Sequence, residues 1–337
     1  MVRSEVLSSA QSGKYISEHS EHVSIHDEGI DKLCDQMLTS IIDKKITIPE
    51  IGAESIHPNA NHPRAADWVF VMDALNFCFW SRSKSEQWKV DGHTGYCALE
   101  AALYRAIKNG YDITNPEYYL KITTEQLADL FKGDTDAKIP LLLERLRVLH
   151  EVGSVLIEKY KGTFETCVKE ANKSAVTLLK IVVENFPCFK DEAIYKDKKV
   201  SFYKRAQILI ADLWNFFKGK GFGEFHDIDK LTMFADYRIP QVLVYFEVLS
   251  YSDSLVDKLM SDSLLPSGSD EEIEIRGCSI HSIELLKQRL QNRIEAEQIS
   301  AEVPNSSLID FYLWSYRRKH AKELEKVPYH KTLGIYY

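Results

Sequence analysis

The sequence predicts a mainly α protein, a single helical domain over residues 1–337, and three observations carry that expectation. Apolar residues recur at helical spacing through most of the chain. Capping and stop residues bracket several of these stretches. Strands and helices do not alternate at βαβ spacing, which argues against a dinucleotide-binding sheet.

Taken in order, the first helix runs from Gly29 to Lys44, with Ile30, Leu33, Met37 and Ile41 on one face. Trp68–Val71 is a short strand candidate. Thr123-Thr124-Glu125-Gln126 has the form of a capping box and opens a helix through Leu127, Leu130 and Phe131. Ile139–Tyr160 is a longer helical pattern, weakened in its second half by Gly153. Thr163–Asn185 continues the type and stops before Pro187. Ser201–Lys218 is helical and ends at Gly219. Gly219, Gly221 and Gly223 spell G-x-G-x-G, but no strand precedes them, so they read as a plain turn. Pro240 suits the N-terminus of a helix over Gln241–Leu249. Glu272–Ile275 is the second strand candidate, and Ser279–Gln298 and Ser307–Leu324 complete the helices. The stretch Pro266–Asp270 is a loop too short to link domains.

Composition narrows the function. Lys and Arg number 42 against 50 Asp and Glu, a net charge of −8, which argues against a protein that scans nucleic acid with a basic face. With 15 Phe, 17 Tyr and 5 Trp the chain has ample surface to bury, so disorder is excluded as the main state. No uninterrupted apolar run approaches the ~18 residues of a membrane helix. The opening residues are too polar for a signal peptide, so a cytoplasmic protein is expected, a nuclear one being the other choice. The six scattered cysteines contain no C-x-x-C pair and read as reduced thiols. Histidines and cysteines show no ligand spacing, so neither a metal nor an organic cofactor is expected.

Five segments are dense in residues that a plain helical core would not need: Trp68–Trp80, Ser201–Trp214, Thr232–Leu243, Glu274–Cys278 and Asp310–Trp314. They mix aromatic side chains with lone carboxylates and a few cations. That mixture suits a planar, polar, anionic ligand: rings stack, carboxylates accept N–H groups, and a cation holds a phosphate. In this order the segments resemble the queuosine salvage family, the queuosine 5′-phosphate N-glycosylase/hydrolases. VSFYKRAQILIADLW, TMFADYR and IRGCSI are near-unbroken matches, and the likeness runs from about Tyr15 to Tyr336-Tyr337. It implies cleavage of the bond between queuine, a 7-deazaguanine base, and ribose 5-phosphate. It also implies a fold similar to helical DNA glycosylases, and a small-molecule nucleotide as the partner, without nucleic acid or membrane. A monomer is the expectation.

Breaking a C1′–N bond builds positive charge on the ribose. A carboxylate beneath C1′ stabilises that charge and can orient or deprotonate water. A 7-deazapurine has carbon where purines accept a proton at N7, so sugar-cation stabilisation carries more of the work. On the residues alone Asp236 reads as an N-cap of the Pro240 helix; the resemblance makes it the first choice for the catalytic carboxylate. Asp310 is the second, as the catalyst itself, as a ligand for the base edge or a ribose hydroxyl, or as a charge on a helix dipole. The family continues this motif with an acidic residue after Trp314, where this chain has Ser315, so any role that needs a carboxylate there is in doubt. Lys204 and Arg205 read as a solvated pair on spacing alone; the resemblance favours Lys204 for the phosphate, with Arg238 and Arg276 behind it. His57 is a candidate for the pocket rim, and Phe234, Tyr237 and Trp314 are candidates for stacking on the base.

Two other classes compete. A DNA-repair-type base glycosylase would share the fold and the Asp, but the net charge is −8 and no Leu-Pro-Gly-Val-Gly hairpin is present. A non-catalytic helical scaffold would use its aromatics only as core or interface.

Overall fold

The computed structural model describes residues 6–47, 57–81 and 86–337. Among these the chain forms α1 (Ser9–His19), β1 (Val23–Ile25), α2 (Asp27–Ile42), α3 (Ala65–Ala74), β2 (Lys89–Val90), β3 (His93–Thr94), α4 (Tyr96–Lys108) and α5 (Pro116–Tyr119). There follow α6 (Thr124–Leu130), α7 (Leu142–Lys159), α8 (Glu165–Glu170), α9 (Ala175–Asn185), β4 (Glu192–Tyr195), β5 (Lys198–Ser201) and α10 (Lys204–Phe216). The remainder is α11 (Ile239–Tyr245), β6 (Leu249–Tyr251), α12 (Asp253–Met260), α13 (Asp270–Ala296), α14 (Ser306–Lys319) and α15 (Ala321–Leu324). The strands pair only in antiparallel twos, β1 with β6, β2 with β3 and β4 with β5. The protein is mainly α, as the sequence predicts.

Local rules account for most of the boundaries. Thr123 accepts the Gln126 N–H while the Gln126 side chain returns to the Thr123 N–H, a complete capping box on α6. Both strand candidates are helical. Trp68–Val71 lies inside α3, all ten residues of which are buried, so the helix is apolar on every face and shows no period to read. Glu272–Ile275 lies in the first two turns of α13, where Ser269 caps the Glu272 N–H and Asp270, Glu271 and Glu272 stabilise the positive end of the helix. The stretch 163–185 divides into α8 and α9, because Asn172 and Lys173 take left-handed backbone angles and Ser174 caps a new start. The helix through 307–324 breaks at His320. Gly221–Gly223 form a single tight turn.

Two hydrophobic clusters organise the packing. One gathers α3 to α10, with Phe70, Phe164, Phe186 and Phe189 at its centre. The other gathers α1, α2 and α11 to α14. Helices α1 and α13 press together at Gly13 and Gly277: a Cβ at Gly277 would stand 2.5 Å from Ile16, so only glycine fits this crossing. The segment from Leu231 to Arg238 stitches the clusters, Leu231 and Phe234 facing the first, Met233 and Ala235 the second. That seam is where carboxylates collect. All six cysteines are unpaired, five of them buried. Among the described residues no helix is long and apolar enough to cross a membrane.

Candidate active site

Helix α10 supplies one wall. Tyr203, in the left-handed region at φ 49°, turns the chain sharply into it, and the Lys204 N–H donates to Asp191 Oδ2 at 3.2 Å. Four-residue steps along the helix put Lys204, Ile208, Asp212 and Phe216 on one face. Lys204 is 6% exposed, and burial lowers its pKa against the opposing pull of Asp236 and, more weakly, Asp310. Its neighbour Arg205 is spent on structure, donating to the carbonyls of Asp73, Ala74 and Cys188. Arg276 is equally committed: it grips Asp191 through two hydrogen bonds, at 2.9 and 2.5 Å, and donates to the Ala235 carbonyl at 3.3 Å.

The seam segment supplies Asp236. Its Oδ1 accepts the N–H groups of Arg238 at 2.8 Å and Ile239 at 2.7 Å, which caps α11. Oδ2 accepts no hydrogen bond from the described residues and is left for a ligand. Capping and chemistry thus use different oxygens of one side chain. Asp310, near the start of α14, is built alike: Oδ2 accepts the Phe234 N–H at 2.9 Å, and Oδ1 accepts no hydrogen bond from the described residues. Burial pushes the Asp310 carboxyl well above the usual carboxylate range and the nearby Asp236 charge adds to this, while the Phe234 N–H and Lys204 oppose it. The Asp236 carboxyl is also raised by burial, opposed by Lys204 and by the two capping N–H groups.

Helices α3 and α4 contribute groups that the sequence reading missed. Tyr96 donates its hydroxyl to Asp212 Oδ2 at 3.2 Å, and Glu100 lies one turn further along α4. Burial pushes Asp212 up to about 7, and burial with the Asp212 charge pushes Glu100 to about 7. Asp73 of α3 is fully buried, and its carboxyl is raised by burial and then by Asp212. Asp236, Asp212, Tyr96 and Glu100 keep part of their surface open to water, yet burial dominates the ionisation of each. Together they form a part-exposed acidic patch where α4 and α10 meet the seam segment.

The remaining candidates lie around it. Trp314 follows Asp310 by one helical turn, its ring against Phe311 and under the Arg318 guanidinium, which also reaches Cys97 of α4 at 3.2 Å. Phe234 is buried and holds Asp310 through its backbone. Tyr237 packs on Tyr329, with Arg238 3.9 Å above the Tyr329 ring and donating to Gln241. Arg317 lies near enough for the Arg238 charge to lower its pKa further after burial, and its buried Nε has no hydrogen-bond partner. His57 packs against Phe216, one turn beyond Asp212, and shows no contact with Asp236 or Asp310. Ser55 and Ile56, which precede it, lie outside the described residues. The structure therefore brings Lys204, Phe234, Asp236 and Asp310 together, with Trp314 adjoining. Tyr237 and Arg238 form a second group with Tyr329 and Arg317.

Two neighbouring carboxylates, each steadied through one oxygen and open at the other, with a buried ammonium and aromatic rings nearby, can stabilise positive charge developing on a sugar beside a planar base. A helical frame carrying that equipment has the makings of a glycosyl-bond hydrolase. The model of the queuosine salvage protein family matches residues 56–337, and the chain belongs to that family. Relatives named queuosine 5′-phosphate N-glycosylase/hydrolase include one from Bos taurus, 43% identical over 98% of this chain and 99% of its own length. Another from Mus musculus is 41% identical over the same shares. A third, from Sphaerobacter thermophilus, is 37% identical over 90% of both chains.

Proposed function

We propose that the protein hydrolyses the N-glycosidic bond of queuosine 5′-phosphate, releasing queuine for reuse in tRNA modification. The names of full-length relatives support the substrate. The observation that carries the chemistry is the pair Asp236 and Asp310, close enough for the Asp236 charge to raise the Asp310 carboxyl, each with one oxygen that accepts no hydrogen bond among the described residues. Asp236 faces C1′ and stabilises the oxocarbenium charge as the base departs, then orients the attacking water. Lys204 keeps two neighbouring carboxylates from repelling one another. Asp310 accepts from the base edge or a ribose hydroxyl, with Trp314, Phe234 and Tyr237 as the rings that bracket the base. Arg238, which lies over the Tyr329 ring, and Arg317, whose buried Nε has no hydrogen-bond partner among the described residues, hold the 5′-phosphate; His57 stands at the rim.

The substrate in this reading is the free nucleotide, acted on by a monomer, not a nucleic acid. The guanine-type edge offers N–H donors that adenine lacks, and a carboxylate left unpaired in a buried site costs about 1–3 kcal/mol. The test is chromatography of base release from queuosine 5′-phosphate, AMP and GMP at equal concentration. Queuine release with AMP and GMP untouched is expected. Comparable hydrolysis of AMP or GMP would mark a general nucleotide glycosidase and overturn the salvage reading.

A further inference from the structure

An amide lies buried between the helix that carries Lys204 and the segment that carries Asp236. Gln207 of α10 is 1% exposed, and Thr232, ahead of Asp236 in the seam, is 3% exposed. The Gln207 Nε2 donates to the Phe202 carbonyl and to the Thr232 hydroxyl, each at 2.9 Å, and Oε1 accepts the Thr232 N–H at 2.8 Å. The Thr232 hydroxyl lies 3.2 Å from both Gln207 Oε1 and the Met233 carbonyl, either of which can accept its proton. Among the described residues, every hydrogen bond from α10 to residues 231–238 runs through Gln207. Phe202 stands just ahead of Tyr203, whose left-handed turn leads into Lys204. One amide therefore holds both the turn before Lys204 and the stretch of chain before Asp236.

Packing alone does not ask for this group. An apolar side chain of similar size would fill the space, and a buried polar network is costly unless all its members are satisfied. What a satisfied network supplies is fixed geometry. We propose that Gln207 is a positioning residue for the hydrolysis: through Thr232 and the Phe202 carbonyl it sets the separation between the Lys204 ammonium and the Asp236 carboxylate. This rests on the glycosidase reading above and deepens it. The Arg276–Asp191 pair links the same two pieces only by way of α13, whereas Gln207 joins them directly. The charged groups around Asp236 are Lys204 on α10, Asp310 on α14 and Arg238 on its own segment, with Arg276 of α13 on the carbonyl before it.

The test is steady-state hydrolysis of queuosine 5′-phosphate by the full chain across pH, with urea midpoints alongside. Thr232→Val and Gln207→Met keep the volume and remove the hydroxyl or the amide. A misplacement of about 1 Å can cost about 10²-fold, so each should lower kcat about 10- to 100-fold while KM stays within about twofold. The acid limb of the profile should also move to higher pH, because a displaced Lys204 opposes the upward push of burial on Asp236 less strongly. Thr232→Ser, which keeps the hydroxyl, should restore kcat. Gly13→Ala, whose Cβ would stand 2.8 Å from Ile280, is the destabilised control and should keep both kcat and the limb. In the wild-type chain the Thr232 N–H should exchange with deuterium only as fast as the whole protein unfolds. Wild-type kcat and an unmoved limb in folded Thr232→Val and Gln207→Met, or a Thr232 N–H that exchanges like a surface amide, would overturn the positioning role and leave the glycosidase reading standing. No queuine release by the wild-type protein would overturn both.

Discussion

Asp310 accepts the backbone N–H of Phe234 at 2.9 Å, and that single bond ties α14 to the segment that carries Asp236 two residues later. The carboxylates come from places 74 positions apart (310 − 236), yet this bond holds Asp310 against the segment that carries Asp236. Each spends one oxygen on the backbone and keeps one free. This economy lets a helix cap and a reactive group coexist in the same side chain.

The acids pushed up by burial make folding stability depend on pH in a definite direction. A carboxyl whose folded pKa lies above its unfolded value binds more protons in the native state, so stability falls as pH rises from the unfolded to the folded value. For Asp212 and Glu100, both near 7, the window runs from about pH 4 to pH 7. Melting temperature should decline across it. Glu100→Gln should flatten the decline and raise the melting temperature at pH 8 by about 1–2 °C, a modest figure because the side chain is part-exposed. A melting temperature that climbs from pH 5 to pH 7.5 would contradict the burial account.

Phosphate recognition separates the cations. Arg317→Gln should raise KM for the nucleotide about tenfold while leaving the unphosphorylated nucleoside little affected, because remote binding energy is then lost. Lys204→Ala, beside the carboxylates, should depress turnover of both substrates. Steady-state kinetics on the pair decide it. Selective loss of the nucleotide preference in Lys204→Ala would return the phosphate to Lys204, as the family resemblance implies.

The Arg276–Asp191 pair fastens the two walls, since Asp191 also accepts the Lys204 N–H and Arg276 donates to the Ala235 carbonyl. Both side chains are nearly without exposure. Removing one partner from such a pair typically costs about 3–5 kcal/mol. Asp191→Ala should therefore lower the urea midpoint sharply, and a midpoint within error of wild type would show that the pair does not clamp the site.

Gly277 makes a purely steric claim. With a Cβ at 2.5 Å from Ile16, Gly277→Ala should destabilise the protein by about 1–3 kcal/mol through overpacking. Ile16→Ala in the same chain should recover part of the loss, and an unchanged melting temperature in Gly277→Ala would refute the tight crossing.

What the sequence made legible follows the range of the interactions. The α6 capping box was readable because its two hydrogen bonds span three residues. Asp236, Asp310 and Lys204 lie within dense runs of aromatic and charged residues, but it is the family resemblance that lifts Asp236 above a helix cap and Lys204 above a solvated pair. Asp212 was equally within reach, in the same run as Lys204 and eight residues on, which is two turns and one face. Tyr96 and Glu100 carry no local signal: α4 lies outside those runs, and only tertiary packing brings it to Asp212. Helix α3 escaped because a helix buried on every side has no amphipathic period. The first turns of α13 escaped because alternating Glu and Ile mimic a strand whose inward carboxylates are here paired.

The measurement that tests the central claim is turnover of queuosine 5′-phosphate by Asp236→Asn, beside queuine binding by the same variant. Asparagine caps a helix about as well as aspartate, so fold and binding should persist. Losing the charge beneath C1′ should slow turnover by about 10²–10³ or more. A folded, queuine-binding Asp236→Asn protein that turns over at nearly the wild-type rate would contradict the account and move the catalytic charge to Asp310.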